Sequence, residues 1–374
     1  MSEYQYYEFQ AIDRPLDAGA QAELRRISSR ARITATSFTN HYEWGDLKAV
    51  PREMVARWFD LHLYLANWNT RQLMIRLPRA LFDRKAAHPY AVGRALEVTA
   101  AGEHVILTFS ADEVDVEEWD DGSGWLASLA PLRAALMEGD CRCLYLGWLL
   151  GLQKGEVDED EEEPPRPPGL GRLDGPLQSF VTFFGLEPDL VEAALGGADA
   201  GDEDLFARDP VEAFVRGLPA DEKDAMLVRL VAGEAPNLAS ELRRRLRQAA
   251  GAESEPAQPV RTAGELLAAA DARAGERERL EAERAAAELA ERLDALARRG
   301  EAAWLEVEDL IATMRPENYD MAVSILLDIQ RVAERDGWET LFIDRVATLR
   351  ARHARKSSFT GRLDAAGLGP KGRR

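Results

Sequence analysis

The sequence predicts an α+β protein, in which a mixed α/β domain is followed by an all-helical C-terminal half that contains one long helix. Segments with alternating apolar residues and many aromatic or β-branched side chains all lie before residue 112. An acidic and proline-rich segment follows near residue 160. Residues 262–299 then consist almost entirely of Ala, Glu, Arg and Leu, which are strong helix formers. A split βαβ arrangement is one candidate topology for the first domain.

The chain opens with a predicted alternation of strands and helices. Residues 4–12 are rich in aromatic side chains and predict a strand, after which Asp17 is placed to cap a helix. Residues 33–42 predict a second strand, and Pro51 is typical of the first turn of a second helix. The first elements are therefore expected in the order β, α, β, α.

Two strand pairs and two helices complete the predicted first domain. The paired segments, each joined by a turn-like stretch, are residues 61–66 with 72–77 and residues 96–99 with 104–109. Residues 125–153 predict two helices divided near Gly139, and we expect them to cover one face of the sheet.

Breaks in composition divide the chain into seven predicted segments. Residues 156–170 combine a run of acidic residues with prolines, which favours a solvated, extended connector. The predicted segments are an α+β domain (1–155), an acidic and proline-rich linker (156–170), a helical segment (171–250), a second linker (251–262), a long charged helix (263–300), a helical hairpin module (301–356) and a basic tail (357–374).

The long helix offers a short apolar seam for a partner. Leu289, Leu293 and Leu296 lie at the spacing of a coiled-coil stripe. The seam is shorter than the three or four heptads that a sustained coiled coil needs. The hairpin module that follows carries apolar stripes resembling those of helical repeats, although no fixed period recurs.

Composition indicates a cytoplasmic protein without membrane spans. The net charge of -19 disfavours binding to nucleic acid and to anionic lipid, except through a local basic patch. The longest apolar stretch, residues 144–152, is far shorter than the roughly 20 residues of a membrane span. Cys141 and Cys143 are the only cysteines and are too few for a disulfide framework.

No catalytic or cofactor motif is present, so no cofactor and no metal are predicted. The sequence contains no phosphate-binding loop, zinc-protease motif or serine-hydrolase elbow. One weak candidate remains at a predicted strand end, where His41, Glu43 and Asp46 could run acid–base chemistry or hold a metal. The alternative is a hydrogen-bonded loop, and convergence of these residues with Trp68 in one pocket would decide between the two.

The end of the chain reverses the sign of the overall charge. Between residues 345 and 374, Asp364 is the only acidic residue. Such a segment could contact phosphate or an acidic partner, or could pair with the acidic remainder of the chain. The cations singled out as partner-binding candidates are Arg350, Arg352, Arg355 and Lys356.

Two parts of the chain resemble known families. Residues 304–311 (Trp-Leu-Glu-Val-Glu-Asp-Leu-Ile), together with 319–323, 352–356 and 362–368, resemble the C-terminal helical region of bacterial SWIM zinc-finger proteins. The zinc finger itself, Cys-x-Cys followed by Cys-x-His, is missing, so that family's metal and nucleic-acid role does not carry over. Residues 4–16 (Tyr-Gln-Tyr-Tyr-Glu-Phe-Gln-Ala-Ile-Asp-Arg-Pro-Leu) resemble a group of uncharacterised bacterial proteins, which implies no activity.

Three hypotheses of function follow from the sequence. The first is a non-enzymatic interaction or scaffold protein that binds a protein partner through its helical C-terminal half. The second is a nucleic-acid-associated accessory factor that uses the basic tail. The third is an unrecognised hydrolase or transferase centred on His41, Glu43 and Asp46. The sequence does not specify an oligomeric state.

Overall fold

The computed structural model describes residues 3–114, 119–196, 203–250 and 261–369, except for the side chains of residues 203 and 204. The chain divides into two compact units, an N-terminal unit (Met1–Ala274) and a C-terminal unit (Gly275–Arg374). The division lies inside the long helix. The predicted α+β class is confirmed, because a sheet lies in the N-terminal part and the remainder is mostly helical.

A seven-stranded sheet forms the centre of the N-terminal unit. Its strands are β1 (Gln5–Gln10), β2 (Arg32–Ile33), β3 (Ser37–Tyr42), β4 (Leu61–Ala66), β5 (Arg71–Pro78), β6 (Leu96–Ala101) and β7 (His104–Ala111). They lie in the order β2-β3-β1-β4-β5-β7-β6. All pairings between these named strands are antiparallel.

The helices of the N-terminal unit are mostly short. They are α1 (Ala18–Ile27), α2 (Pro51–Arg57), α3 (Arg84–Ala87), α4 (Trp125–Leu129), α5 (Pro131–Met137), α6 (Arg142–Gln153), α7 (Gly175–Phe184), α8 (Pro188–Leu195), α9 (Arg208–Gly217), α10 (Ala220–Val231) and α11 (Leu238–Ala249). Short 3-10 helices span His88–Tyr90 and Glu203–Phe206. The predicted cap of α1 is present, since the Asp17 carboxylate accepts a hydrogen bond from Ala20 N at 2.7 Å.

The first half of the sheet contains a split βαβ unit. Both β3 and β4 pair antiparallel with β1, so they run parallel to each other on its two sides, and α2 lies between them in the chain. The two predicted strand pairs are the hairpins β4–β5 and β6–β7. Asn69 and Gly102 both have left-handed backbone in the intervening turns, with φ of 64° and 59°.

The sheet buries both faces, because apolar residues occupy both parities of its central strands. In β4, Leu61, Leu63 and Leu65 belong to one core cluster, which includes residues of α4–α8. Phe9 and Phe38 belong to a second cluster, which includes residues of α1 and α2. The predicted cover of one face by residues 125–153 consists of three helices and not two, because Pro131 starts α5.

Residues 156–170 differ from the predicted solvated linker. Val157, Glu163 and Leu170 are buried in the N-terminal unit. The segment also forms an isolated bridge from Glu162 to Thr262. An acidic run would repel itself in an unpaired chain, but here Arg166 and Arg261 pair with its last carboxylate, Glu163, and its backbone forms hydrogen bonds with residues 261–264. The prolines fix an extended shape that lies against the core.

The predicted helical segment 171–250 also begins inside the N-terminal core. Phe180, on α7, is fully buried and its ring centroid lies 5.1 Å from that of Phe109 on β7. The predicted second linker lies mostly outside the described residues, because only 261 and 262 of it are described. Of the predicted basic tail, residues 370–374 lie outside them.

The C-terminal unit is a helical bundle with its own core. It contains the end of α12 (Ala263–Arg299), then α13 (Glu301–Ala312), α14 (Pro316–Asp336), α15 (Glu339–Arg352) and α16 (Ser357–Ala365). Trp304, Val307, Leu326 and Phe359 are among the buried residues of this core. Pro316 starts α14, and Gly337, with φ of 76°, ends it as the sequence predicts.

Between residues 271 and 292, α12 is almost entirely exposed, with only Ala274 partly covered. Ion pairs at helical spacing, including Arg279 with Glu283 and Arg284 with Glu288, line this stretch. None of the helices in the described parts of the chain is both long enough and apolar enough to cross a bilayer.

Candidate functional site

Two of the candidate acid–base residues, His41 and Asp46, are engaged in contacts outside the candidate cluster. His41 is exposed on β3, with its ring stacked on that of Tyr4 at 6.2 Å between centroids. Asp46 accepts hydrogen bonds from Tyr7 Oη and from Leu47 N, each at 2.6 Å. Burial and the hydrogen bond to Asp46 raise the pKa of Tyr7. Asp46 therefore orders its own loop.

His41, Glu43, Asp46 and Trp68 line neither the groove between α15 and the end of α16 nor the cavity beside α11. Glu43 is exposed, and Trp68 is 46% exposed in the β4–β5 turn. Within the described ranges, no three or more His, Cys, Asp or Glu residues are grouped so that they could hold a metal ion. The geometry thus gives this cluster no support as a reaction centre.

Intramolecular partners engage most of the candidate cations near the C-terminus. Arg350 pairs with Asp364, Nη1 to Oδ1 at 2.7 Å, and Arg352 pairs with Glu308. Lys356 Nζ donates to the carbonyl of Ile311 at 2.7 Å. Paired surface cations are less able to bind phosphate, because a ligand must first displace the carboxylate.

The leucine seam of α12 is directed mostly into its own bundle. Leu293 is 7% exposed, and Leu296 packs against the core of the C-terminal unit. Leu289, at 37% exposure, stays accessible. A partner therefore has little of the predicted seam to bind.

A groove of about 520 Å³ in the C-terminal unit is the best candidate site. One side is an exposed stripe formed by Ile343, Ala347 and Ala351 on α15 and by Ala354 in the turn that follows this helix. Spacings of four residues place Ile343, Ala347 and Ala351 on one face of α15 over about two helical turns. Because alanine side chains are small, they leave space above this face of the helix, and the groove lies in that space.

The opposite wall of the groove comes from the end of α16. Gly367 has left-handed backbone with φ of 74°, and Leu368 N donates to the carbonyl of Leu363 at 2.9 Å. This helix-ending motif turns the chain back, so that Leu368 is buried beside the groove. A side chain at position 367 would strain this turn, which explains the glycine there.

Two cations directly follow the groove-lining Ala354 in the chain. Arg355 follows Ala354, is exposed, and has no ion pair in the described part of the chain. Lys356 contacts a backbone carbonyl at the end of α13 and no carboxylate among the described residues. Arg350 also lines the groove, although Asp364 neutralises it. These cations therefore favour a negatively charged group in a ligand.

His353 precedes Ala354 in the chain and does not line the groove. Burial and the nearby positive charge of Lys356 lower the pKa of His353. Its Nε2 is buried without a hydrogen-bond partner in the described structure, and its ring meets that of Phe359 edge-on at 6.2 Å. His353 is thus a neutral packing residue and not an additional cation.

Sequence reasoning missed the groove, although the signal was present. Ile343, Ala347 and Ala351 repeat at helical spacing on a helix whose buried face, with Phe342 and Leu349, is already apolar. A second apolar face on one helix indicates a second contact surface. What the sequence could not show is the wall that Leu368 forms beside it.

Comparisons with family models, with curated proteins and with solved structures gave no match to this chain, so the groove and the folds of the two units carry the functional argument.

Proposed function

We propose that this chain is a non-enzymatic interaction protein of the cytoplasm, which binds an amphipathic, acidic helix of a partner protein in the groove of its C-terminal unit. The groove supports this proposal through its shape. The helical part of its exposed stripe runs over about two turns of α15, and an amphipathic helix presents apolar residues at the same spacing. Ile343 is 49% exposed and is the largest apolar side chain available to such a helix along the stripe.

Charge supports an acidic partner over a second copy of the same surface. Arg355 and Lys356 directly follow the groove-lining Ala354 and have no carboxylate partner in the described part of the chain. Two copies meeting through this surface would bring like charges together, which is unfavourable. A helix with an acidic residue near Ala354 complements the groove instead.

The observation that carries the proposal is the exposed apolar stripe beside cations that no described carboxylate neutralises. To test it, a photo-reactive amino acid replaces Ala347 in the full-length protein in its native cell. A matched control carries it at Leu305, which is 57% exposed on α13 and outside the groove. We expect position 347, and not position 305, to crosslink one heterologous protein at a helical segment that contains acidic residues.

A substitution then tests whether binding depends on the groove. Ala351→Glu places a carboxylate on the apolar stripe, and its desolvation on binding should weaken the affinity for the identified segment about 100-fold or more. Leu305→Glu makes the same charge change outside the groove and should leave the affinity within about twofold of wild type. Equal effects of both variants, or a crosslink to another copy of this chain, would contradict the proposal.

Nucleic acid is the competing partner, and the same protein tests it. Lys371, Arg373 and Arg374 lie beyond the described residues, so a basic contact there stays a prediction from sequence. Salt-dependent binding of a DNA or RNA duplex that is lost on removing residues 370–374, with no crosslink at position 347, would favour that role and overturn ours.

A further inference from the structure

A second cavity, of about 340 Å³, lies in the N-terminal unit. It is bounded by the segment around α3, by the turn between α5 and α6, by residues 165–168 and by α11. Its volume is within the range of small-molecule sites. The proline-rich segment forms part of its wall because it packs on the unit.

Apolar groups form one side of this cavity. Phe82 and Leu136 are buried residues whose surfaces line it. Tyr90 also lines it, and its hydroxyl donates to the carbonyl of Pro165 at 2.7 Å. Because that hydroxyl is already engaged, the remainder of the tyrosine ring presents an apolar surface.

Two arginines on α11 form the other side. Arg244 Nη1 makes one long hydrogen bond, to the carbonyl of Ala80 at 3.4 Å. Arg247 Nε is buried without a hydrogen-bond partner in the described structure. The Arg247 guanidinium lies 5.5 Å from the centre of the Phe206 ring, which holds it in place without neutralising it.

The acidic residues that line the cavity have other partners. Asp83 accepts a hydrogen bond from Lys85 N at 2.9 Å and caps α3. Glu138 accepts from Ser240 Oγ and from Arg243 Nη1, each at 3.3 Å.

Asp140 is paired with Arg142 at 2.7 Å, and Arg166 is paired with Glu163 at 2.8 Å. Glu138, Asp140 and Arg166 thus have partners of opposite charge and Asp83 is engaged at a helix cap, whereas Arg244 and Arg247 line the cavity without an ion pair in the described structure. A buried N–H donor without an acceptor, such as Arg247 Nε, is costly, and an oxyanion would supply that acceptor.

We propose that this cavity binds a small organic oxyanion, a carboxylate or phosphate monoester carried on a short apolar chain. Arg244 and Arg247 hold the oxyanion, and Phe82, Tyr90 and Leu136 contact the apolar chain. This site belongs to the N-terminal unit and is independent of the helix-binding groove.

Cys141 supplies a reporter for this site, because its side chain lines the cavity and is partly exposed. Cys143 is 2% exposed, and burial raises its pKa well above the usual value, so its thiol should stay unreactive. The experiment measures the rate of Cys141 alkylation by iodoacetamide in the full-length protein. A Cys141→Ser variant verifies that the signal comes from this residue.

The probes are octanoate, octyl phosphate, octanol and inorganic phosphate. We expect octanoate or octyl phosphate to slow alkylation at least about tenfold at saturation. Octanol has the same chain without the charge and should bind at least about tenfold more weakly, since a charge-assisted hydrogen bond is lost. Inorganic phosphate alone should give little protection, since it fills only the polar side.

Two kinds of variant separate binding from folding. Arg244→Gln with Arg247→Gln should abolish protection by the charged probes. Arg245→Gln, which changes an arginine of the same helix that pairs with Glu222 and does not line the cavity, should retain it. Ala86→Trp fills the mouth of the cavity at an exposed position and should also abolish protection while both arginines remain. Thermal unfolding identifies any variant that fails to fold.

Three results would overturn the proposal. They are equal binding of octanol and octanoate, protection that survives the double arginine substitution, and absence of protection by every probe in wild-type protein whose Cys141 is alkylated. The groove plays no part in these measurements, so each proposal can fail without the other.

Discussion

Asp60 and His62 are buried two residues apart at the start of β4, but the fold stabilises the charged form of Asp60 and the neutral form of His62. Asp60 accepts hydrogen bonds from Ile12 N and Asp13 N and lies 2.8 Å from the Arg76 guanidinium. Burial opposes its ionisation, but Arg133 and Arg76 outweigh burial and lower the pKa of Asp60. Its charge is thus retained in the folded protein.

His62 has no comparable support. Its Nδ1 lies 3.0 Å from the carbonyl of Glu8, and Nε2 is buried without a hydrogen-bond partner in the described structure. Its ring stacks on Phe9 at 4.0 Å between centroids. Burial lowers the pKa of His62 to about 3, although the Glu8 carbonyl acts in the opposite direction. The imidazole is therefore neutral when folded.

This neutral histidine makes stability depend on pH. In the unfolded chain the pKa of His62 is about 6.5, so the imidazole is protonated below that pH. In the folded protein it stays unprotonated until the pH falls to about 3. The stabilising contribution is complete above pH 6.5 and is lost as the pH falls. Between pH 7 and pH 5, we expect His62 to lower the free energy of unfolding by about 2 kcal/mol.

His62→Phe should remove that slope, measured by urea unfolding of the N-terminal unit at several pH values. Between pH 7 and 8 residue 62 should contribute almost no pH dependence to the free energy of unfolding of either protein. This range serves as the internal reference. If the two proteins lose the same free energy of unfolding between pH 7 and 5, His62 is not the neutral buried group described here.

At the scale of elements, the start of α12 depends on the segment that the sequence predicted to be a linker. Glu163 accepts from Arg261 Nε at 2.7 Å, from Arg166 Nε at 2.8 Å and from Tyr145 Oη at 2.5 Å. Ala263 N donates to the carbonyl of Glu161 at 2.8 Å. The acidic segment thus supplies acceptors to the first turn of the long helix.

Glu163→Gln should loosen that first turn. The amide presents one acceptor oxygen where the carboxylate presents two, so Arg261 loses half of its paired contact. We expect amide hydrogen exchange in residues 262–270 to become about tenfold faster or more. Glu162→Gln, at the adjacent exposed position, is the matched control and should leave exchange unchanged. Similar exchange in both variants would mean that the backbone bridge alone holds the helix.

Local sequence signals predict the helices, strands and turns. Contacts between residues distant in sequence determine the burial of the acidic segment and the formation of the groove. The cap at Asp17, the turn before Arg71 and the helix end at Gly337 depend on neighbouring residues, so the sequence predicts them. The burial of Glu163 depends on Arg261, 98 residues away, and no local pattern reports it. The groove depends in the same way on Leu368 meeting α15.

At the scale of the whole molecule, the two units have separate hydrophobic cores. The clusters on the two faces of the sheet contain no described residue beyond Ala270, and the cluster of the C-terminal unit consists of residues from 296 onward. Separate cores favour separate cooperative unfolding. The division between Ala274 and Gly275 lies where α12 is exposed and adds little to either core.

Calorimetry of the full-length protein should therefore show two transitions that respond to different substitutions. Leu326 and Leu63 are both fully buried, one in each unit, so replacing either by alanine leaves a comparable cavity. Leu326→Ala should lower the free energy of unfolding of one transition by about 2–5 kcal/mol, and Leu63→Ala that of the other by a similar amount. A single transition that both substitutions shift would show that the two units unfold together. That result would contradict the view that each binding site lies on an independently stable unit.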